Sequence, residues 1–281
     1  MPDRQGRLLA RVGLGDFPVR FRPTVTKNNP WVFRRRPAPA ARVRLYCFAY
    51  AGGSAASFLD WPAAMHPDVE VCAIQMPGRG SRFKEAPITS VPELVAALGQ
   101  ALAPTDALPT VFFGHSLGAL VAFELARHWA RQGLAAPHGL IVSGSRAPAM
   151  RHDPSRKLHL LDDEALIAAL GDYNGTPPEL LAHTQLMELL LPTIRADFAL
   201  AERYVYAEAP LDLPIAVFSG RSDEFITEVQ VEGWRRETRG PCDVHWFDGD
   251  HFFIHPLRDA VIATVERQLG RWNLLQGLQG P

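Results

Sequence analysis

The chain has 281 residues, a formal net charge of −1, and 47% hydrophobic against 21% charged side chains. That balance is ordinary for a globular protein and gives no footing for a nucleic-acid or polyanion binder. No segment reaches the roughly 20 apolar residues of a membrane span. The N-terminus lacks the sustained apolar stretch of a secretory signal. Cys47, Cys72 and Cys242 are too widely spaced for a metal-ligand pattern. The expectation is a cytoplasmic protein with reduced thiols, no metal site, and no nucleic-acid or membrane partner.

Residues 1–40 are basic and proline-containing with no sustained period, and read as an arm, partly disordered. The chain then alternates. Val43–Phe48 reads as a strand, Ser57–Met65 as a short helix, Val69–Ile74 as a strand and Val91–Leu102 as a helix. Val111–Gly114 follows as a strand, Leu117–Gln132 as a helix and Leu140–Ser143 as a strand. This rhythm predicts an α/β protein with a mostly parallel sheet covered by helices on both faces. From Ala149 to about Pro210 no strand is expected. Leu158–Gly171 and Glu179–Tyr206 read as helices, the second kinked at Pro192. The alternation resumes with strand Ile215–Ser219, helix Glu228–Thr238, strand Val244–Phe247 and helix Leu257–Leu269. The predicted plan is an arm (1–40), a core (41–148 and 211–272), a helical insertion (149–210) and a tail (273–281).

Gly114-His115-Ser116-Leu117-Gly118 fits G-x-S-x-G, with a strand before it and a helix after it. A serine on so sharp a turn needs small neighbours two residues away on each side. The turn lifts its hydroxyl out of the sheet edge and sets it over a helix N-terminus, where free N–H groups favour negative charge. The hydroxyl is a weak nucleophile until a base takes its proton. Asp223 just beyond strand 215–219 and His251 just beyond strand 244–247 come in the chain order this arrangement uses. His255 is a rival base at a helix start, and Glu224 a rival acid. Asp248 and Asp250 adjoin the histidine too closely in sequence to orient it easily. Attack creates an oxyanion, which needs preorganised donors. The backbone N–H groups of Leu117 and of Ala51, in the small-residue loop 48–54, are the candidates. Gly52-Gly53 matches neither phosphate-binding glycine pattern, so nucleotides are not expected.

These motifs together resemble the type II thioesterases that accompany modular polyketide and nonribosomal peptide synthetases. The similar segments are F-x-x-A-G-G-S at 48–54, Q-M-P-G-R-G-S-R at 75–82, G-H-S-L-G at 114–118 and S-G-S-R-A-P at 143–148. L-D-D at 161–163, G-T-P-P-E at 175–179, L-P-T-I-R-A-D-F at 191–198 and D-H-F-F at 250–253 complete the set. The resemblance implies an α/β-hydrolase fold with a helical lid over residues 149–210. It also implies hydrolysis of acyl or aminoacyl thioesters on the 4'-phosphopantetheine arm of carrier proteins, to edit stalled assembly lines. Ser116, Asp223 and His251 would form the triad and Ala51 and Leu117 the oxyanion hole, in a monomer with no cofactor of its own. Leu186, Leu189, Leu190 and Phe198 would line an acyl chamber or pack the lid. Arg79, Arg82, Arg146 and Arg195 would meet the carrier protein or serve the structure. Asp250, directly before the histidine, and the long arm depart from the family pattern. A medium-chain fatty-acyl-carrier thioesterase and a noncatalytic synthase partner are the alternatives.

Overall fold

The computed structural model describes residues 29–103, 108–151, 157–172, 175 and 178–275. Most of the predicted arm (1–28) and most of the predicted tail (276–281) lie outside the described residues. In chain order the elements are β1 (Val32–Phe33), β2 (Val43–Phe48), α1 (Trp61–Ala64), β3 (Val69–Ile74), α2 (Val91–Ala101), β4 (Thr110–His115), α3 (Leu117–Arg131) and β5 (Gly139–Ser143). Then come α4 (Asp163–Asp172), α5 (Pro178–Leu181), α6 (Thr184–Glu202), β6 (Ile215–Gly220), α7 (Glu228–Glu232), β7 (Cys242–Phe247) and α8 (Arg258–Arg271).

The strands form one sheet in the order β1-β3-β2-β4-β5-β6-β7. Strands β2 to β7 are parallel, and β1 runs antiparallel to β3, with Val32 opposite Ile74. Alternate side chains of each strand point to opposite faces, so a sheet covered on both sides needs apolar residues throughout. Tyr46, Phe48, Phe112, Leu140 and Val142 pack on one face with the apolar residues of α2 and α3. Leu45, Cys47, Phe113, Ile141 and Phe218 pack on the other with α1 and α8. The central strand β4 is buried along its whole length. Parallel pairing brings the C-terminal strand ends together along one edge, where His115 lies opposite Ser143 and Gly220 opposite Phe247. In open α/β sheets that edge is where sites form.

Several elements differ from the sequence-based expectation. Strand β1 falls within the predicted arm. Two residues are too short to show a period, and tertiary contacts hold them: the pairing to β3, with the Arg82 guanidinium over the neighbouring Trp31 ring at 4.0 Å. The helices expected at 57–65 and 228–238 are each split into a one-turn α-helix and a 3₁₀ turn. Among the described residues of 149–210 the α-helices are α4, α5 and α6, with a small core of their own formed by Leu166, Leu170, Met187, Leu191 and Ile194. The break in the second expected helix comes at Ala182–His183, not at Pro192. His183 caps α6 by accepting from the Leu186 N–H, and α6 runs on through Pro192.

Candidate active site

Strand β4 ends at His115 and α3 begins at Leu117, which leaves Ser116 alone on the turn with φ 55° and ψ −111°. Only two non-glycine residues among those described have positive φ, and Ser116 is one of them. Such strain persists where the surroundings over-determine it. Here the Ser116 N–H donates to the Ser143 carbonyl at 2.8 Å, tying the turn to β5. A Cβ on Gly114 would lie 2.2 Å from the Gly118 carbonyl oxygen, so this glycine clears the turn itself. A Cβ on Gly118 would lie 2.1 Å from the Phe48 carbonyl oxygen. The second glycine therefore lets α3 settle against the end of β2, a reason the local pattern did not reveal.

His251 Nε2 lies 3.1 Å from Ser116 Oγ, and His251 Nδ1 lies 2.7 Å from Asp223 Oδ2. The other oxygen of Asp223 accepts from the Phe225 N–H at 2.9 Å, and this carboxylate is fully buried. The rivals are otherwise engaged. His255 Nε2 meets the Tyr50 hydroxyl at 2.9 Å, Asp248 pairs with Arg221 at the surface, and Glu224 is exposed. Asp250 accepts from the Phe252 N–H at 2.8 Å and so braces the loop that carries His251. His115, to which sequence reasoning gave no role, packs 5.3 Å from the His251 ring with Nδ1 2.9 Å from Ser143 Oγ. Burial pushes its pKa well below the usual histidine range, reinforced by His251 and His255, so a neutral ring backs His251.

The Ala51 and Leu117 N–H groups donate to no acceptor among the described residues, and both residues line the cavity that holds Ser116. The next N–H, that of Gly52, donates to Asp197 of α6 at 2.7 Å. Asp197 is completely buried and takes a two-pronged bond from Arg79, each prong 2.7 Å. Arg79 also donates to the Gly53 carbonyl at 3.2 Å. One carboxylate thus joins α6, the loop at Ala51 and the 75–82 segment. Arg79 is therefore not a surface contact for a partner. Arg82 is buried as well and is spent on Glu85 and the Gln75 carbonyl. Arg195 binds Asp163 and the carbonyls of His159 and Leu161. Sequence reasoning missed Asp197, although it lay inside the quoted L-P-T-I-R-A-D-F segment.

The cavity has a volume of about 780 Å³. Leu190 and Phe198 line it, together with Leu170, Met187 and Ile194. Leu186 does not: one residue earlier on the helix, it is turned away by about 100° from Met187. Leu189 is exposed.

The profile of the Thioesterase domain family matches residues 43–269. The gramicidin S biosynthesis protein GrsT of Aneurinibacillus migulanus is 37% identical over 248 residues, covering 87% of this chain and 96% of that protein. The thioesterase PikA5 of Streptomyces venezuelae is 39% identical over 236 residues, 83% of each chain. The type II thioesterase BorB from the borrelidin biosynthetic cluster has a similar structure, with a TM-score of 0.79 at 36% identity, covering 87% of this chain and 99% of BorB. The architecture is that of an α/β hydrolase. Within that class, the chain belongs to the thioesterase family.

Three outcomes follow from this packing. Gly118→Ala drives a methyl group into the Phe48 carbonyl. It should cost about 3 kcal/mol and lower Tm by about 6–12 °C in a thermal melt. Asp197→Asn strands the buried Arg79 and should cost about 3–5 kcal/mol, while the double variant Arg79→Met/Asp197→Leu recovers part of that loss. His115, His245 and His255 all have pKa values lowered from 6.5, chiefly by burial. The unfolded chain therefore takes up protons that the folded chain refuses. Stability holds above about pH 6.5 and falls as pH drops below it. His115→Gln should reduce that slope in Tm measured from pH 8 to pH 5.

Proposed function

We propose that this protein is a serine thioesterase that hydrolyses acyl or aminoacyl groups from the phosphopantetheine arm of carrier proteins, editing polyketide or nonribosomal peptide synthetases. The observation that carries the reading is the hydrogen-bonded line Asp223–His251–Ser116, which opens into a cavity of about 780 Å³ in a member of the thioesterase family.

In this reading Ser116 Oγ attacks the thioester carbonyl carbon as His251 Nε2 takes its proton. Asp223 holds the imidazole with Nδ1–H toward itself and stabilises the cation that forms. The Ala51 and Leu117 N–H groups receive the oxyanion, and the α3 N-terminus adds its dipole. His251 then gives its proton to the leaving thiolate, which departs as the free thiol of the arm. A water molecule, deprotonated by His251, attacks the acyl-serine. Collapse of the second tetrahedral intermediate releases the acid and restores Ser116. Helices α4–α6 act as the lid over residues 149–210, enclosing the acyl group between Leu190, Phe198 and their neighbours. No helix among the described residues is long and apolar enough to cross a membrane. We place the enzyme in the cytoplasm, as a monomer meeting carrier proteins in solution.

The cavity of about 780 Å³ holds more than a two-carbon acyl group needs, which keeps a medium-chain preference open as the second reading. Acetyl-, propionyl- and hexanoyl-loaded carrier proteins followed by intact-protein mass spectrometry separate the two. Broad release of short groups is expected, and selective release of one long chain would redirect the assignment to chain termination. Ser116→Ala should lower kcat/KM about 10⁴-fold or more and Asp223→Asn about 10³–10⁴-fold, with Tm little changed. Undiminished turnover by Ser116→Ala would rule the serine mechanism out.

A further inference from the structure

The arginines of this protein fall into two groups. Arg79, Arg82 and Arg127, all buried, each pair with a carboxylate: Asp197, Glu85 and Glu124. Arg146 and Arg151 line the cavity beside Ser116, and neither has a carboxylate partner among the described residues. Arg146 donates to the Phe225 carbonyl at 2.9 Å. Arg151 Nη2 reaches Ser145 Oγ at 2.5 Å and the backbone carbonyl of Ser116 at 3.5 Å, while its Nε is buried without any acceptor. Burial pushes the Arg151 pKa down to about 10, with the Arg146 charge acting in the same direction. The guanidinium is still charged at neutral pH, so the site holds a cation that no carboxylate among the described residues neutralises. The carboxylate that also lines this cavity, Glu202, is occupied by the Leu158 and His159 N–H groups and the His159 ring.

Resting on the thioesterase reading above, we propose that Arg151, with Arg146 behind it, is a carboxylate-binding subsite. Beside the uncharged short groups that the cavity takes, it would admit and hold acyl groups that are half-thioesters of short dicarboxylic acids. Position sets the ligand class. A guanidinium within hydrogen-bond reach of the nucleophile's own backbone can meet only an anion a few bonds from the thioester carbon. The phosphate of a pantetheine arm stands at the far end of a long chain from the sulfur, so it does not fit. A carboxylate one or two carbons beyond the thioester carbonyl does. The planar guanidinium suits a carboxylate in a two-pronged bond, and such charge-assisted bonds are strong where water is excluded.

The test compares N-acetylcysteamine thioesters of malonic acid and of isovaleric acid, which places an uncharged isopropyl group where malonate has its carboxylate. The readout is the ratio of their kcat/KM values, with malonyl thioester also tried as a competitor of isovaleryl hydrolysis. In Arg151→Gln the malonyl-to-isovaleryl ratio should fall about tenfold or more. Arg151→Lys, which keeps the charge without the fork, should fall between it and the wild type. Thermal melts of both variants check that they fold. An equal loss on both substrates would overturn the proposal, because Arg151 would then serve hydrolysis in general. It would equally be overturned if the wild type cleaved isovaleryl thioester but neither cleaved malonyl thioester nor was inhibited by it. If the wild type cleaved no thioester at all, the thioesterase reading itself would fail and take this inference with it.

Discussion

The buried pair between Asp197 and Arg79 is the contact on which the arrangement of this molecule turns. Each partner alone would be a charge stripped of water, so neither is tolerable in the interior without the other. Their two-pronged bond spans α6 and the 75–82 segment, and the same carboxylate receives the Gly52 N–H. The loop that presents Ala51 to the cavity is thereby held from above by α6 and from the side by Arg79. A helix that encloses the acyl group in the proposed mechanism also sets the loop that would receive the oxyanion.

The turn that carries Ser116 is built by the opposite means, through the absence of atoms. Gly114 and Gly118 sit where any side chain would enter neighbouring backbone, and Ser116 carries the strained dihedrals that result. The parallel sheet makes this possible. Its C-terminal strand ends lie level, so the loops after β2, β4, β6 and β7 meet without long excursions. Ser116, Asp223 and His251 come from three of those loops, and Ala51 from the fourth. Behind them His115 is kept neutral by burial, which spares His251 a competing positive charge.

Electrostatics divides the interior into settled and unsettled charges. Arg79, Arg82 and Arg127 are neutralised within the protein, and Asp223 is matched to His251. Arg146 and Arg151 are different. They face the cavity beside the serine, and the acceptors they meet among the described residues are neutral. An apolar chamber alone would distinguish acyl groups weakly, since one methylene changes binding little. A charged subsite next to the reacting carbon discriminates far more sharply.

Much of the fold was legible in the sequence because its determinants are local. Six parallel strands announced themselves as short apolar runs bounded by turn residues. The G-x-S-x-G turn, with Asp223 and His251 after later strands, followed from what a serine nucleophile requires. Beyond the reach of pattern were contacts between residues far apart in the chain. Strand β1 exists by pairing with β3. The face of α6 that meets the cavity depends on how the helix docks, so Met187 lines it and Leu186 does not. Arg79, Arg82, Arg146 and Arg195 look alike as letters, yet two are buried in ion pairs, one ties α6 to residues 159–163 and one faces the cavity. Composition and period fix which residues must be buried and where strands end. Which buried charge finds which partner is decided by packing in three dimensions, because an arginine's environment is made by segments that its neighbours in sequence do not specify.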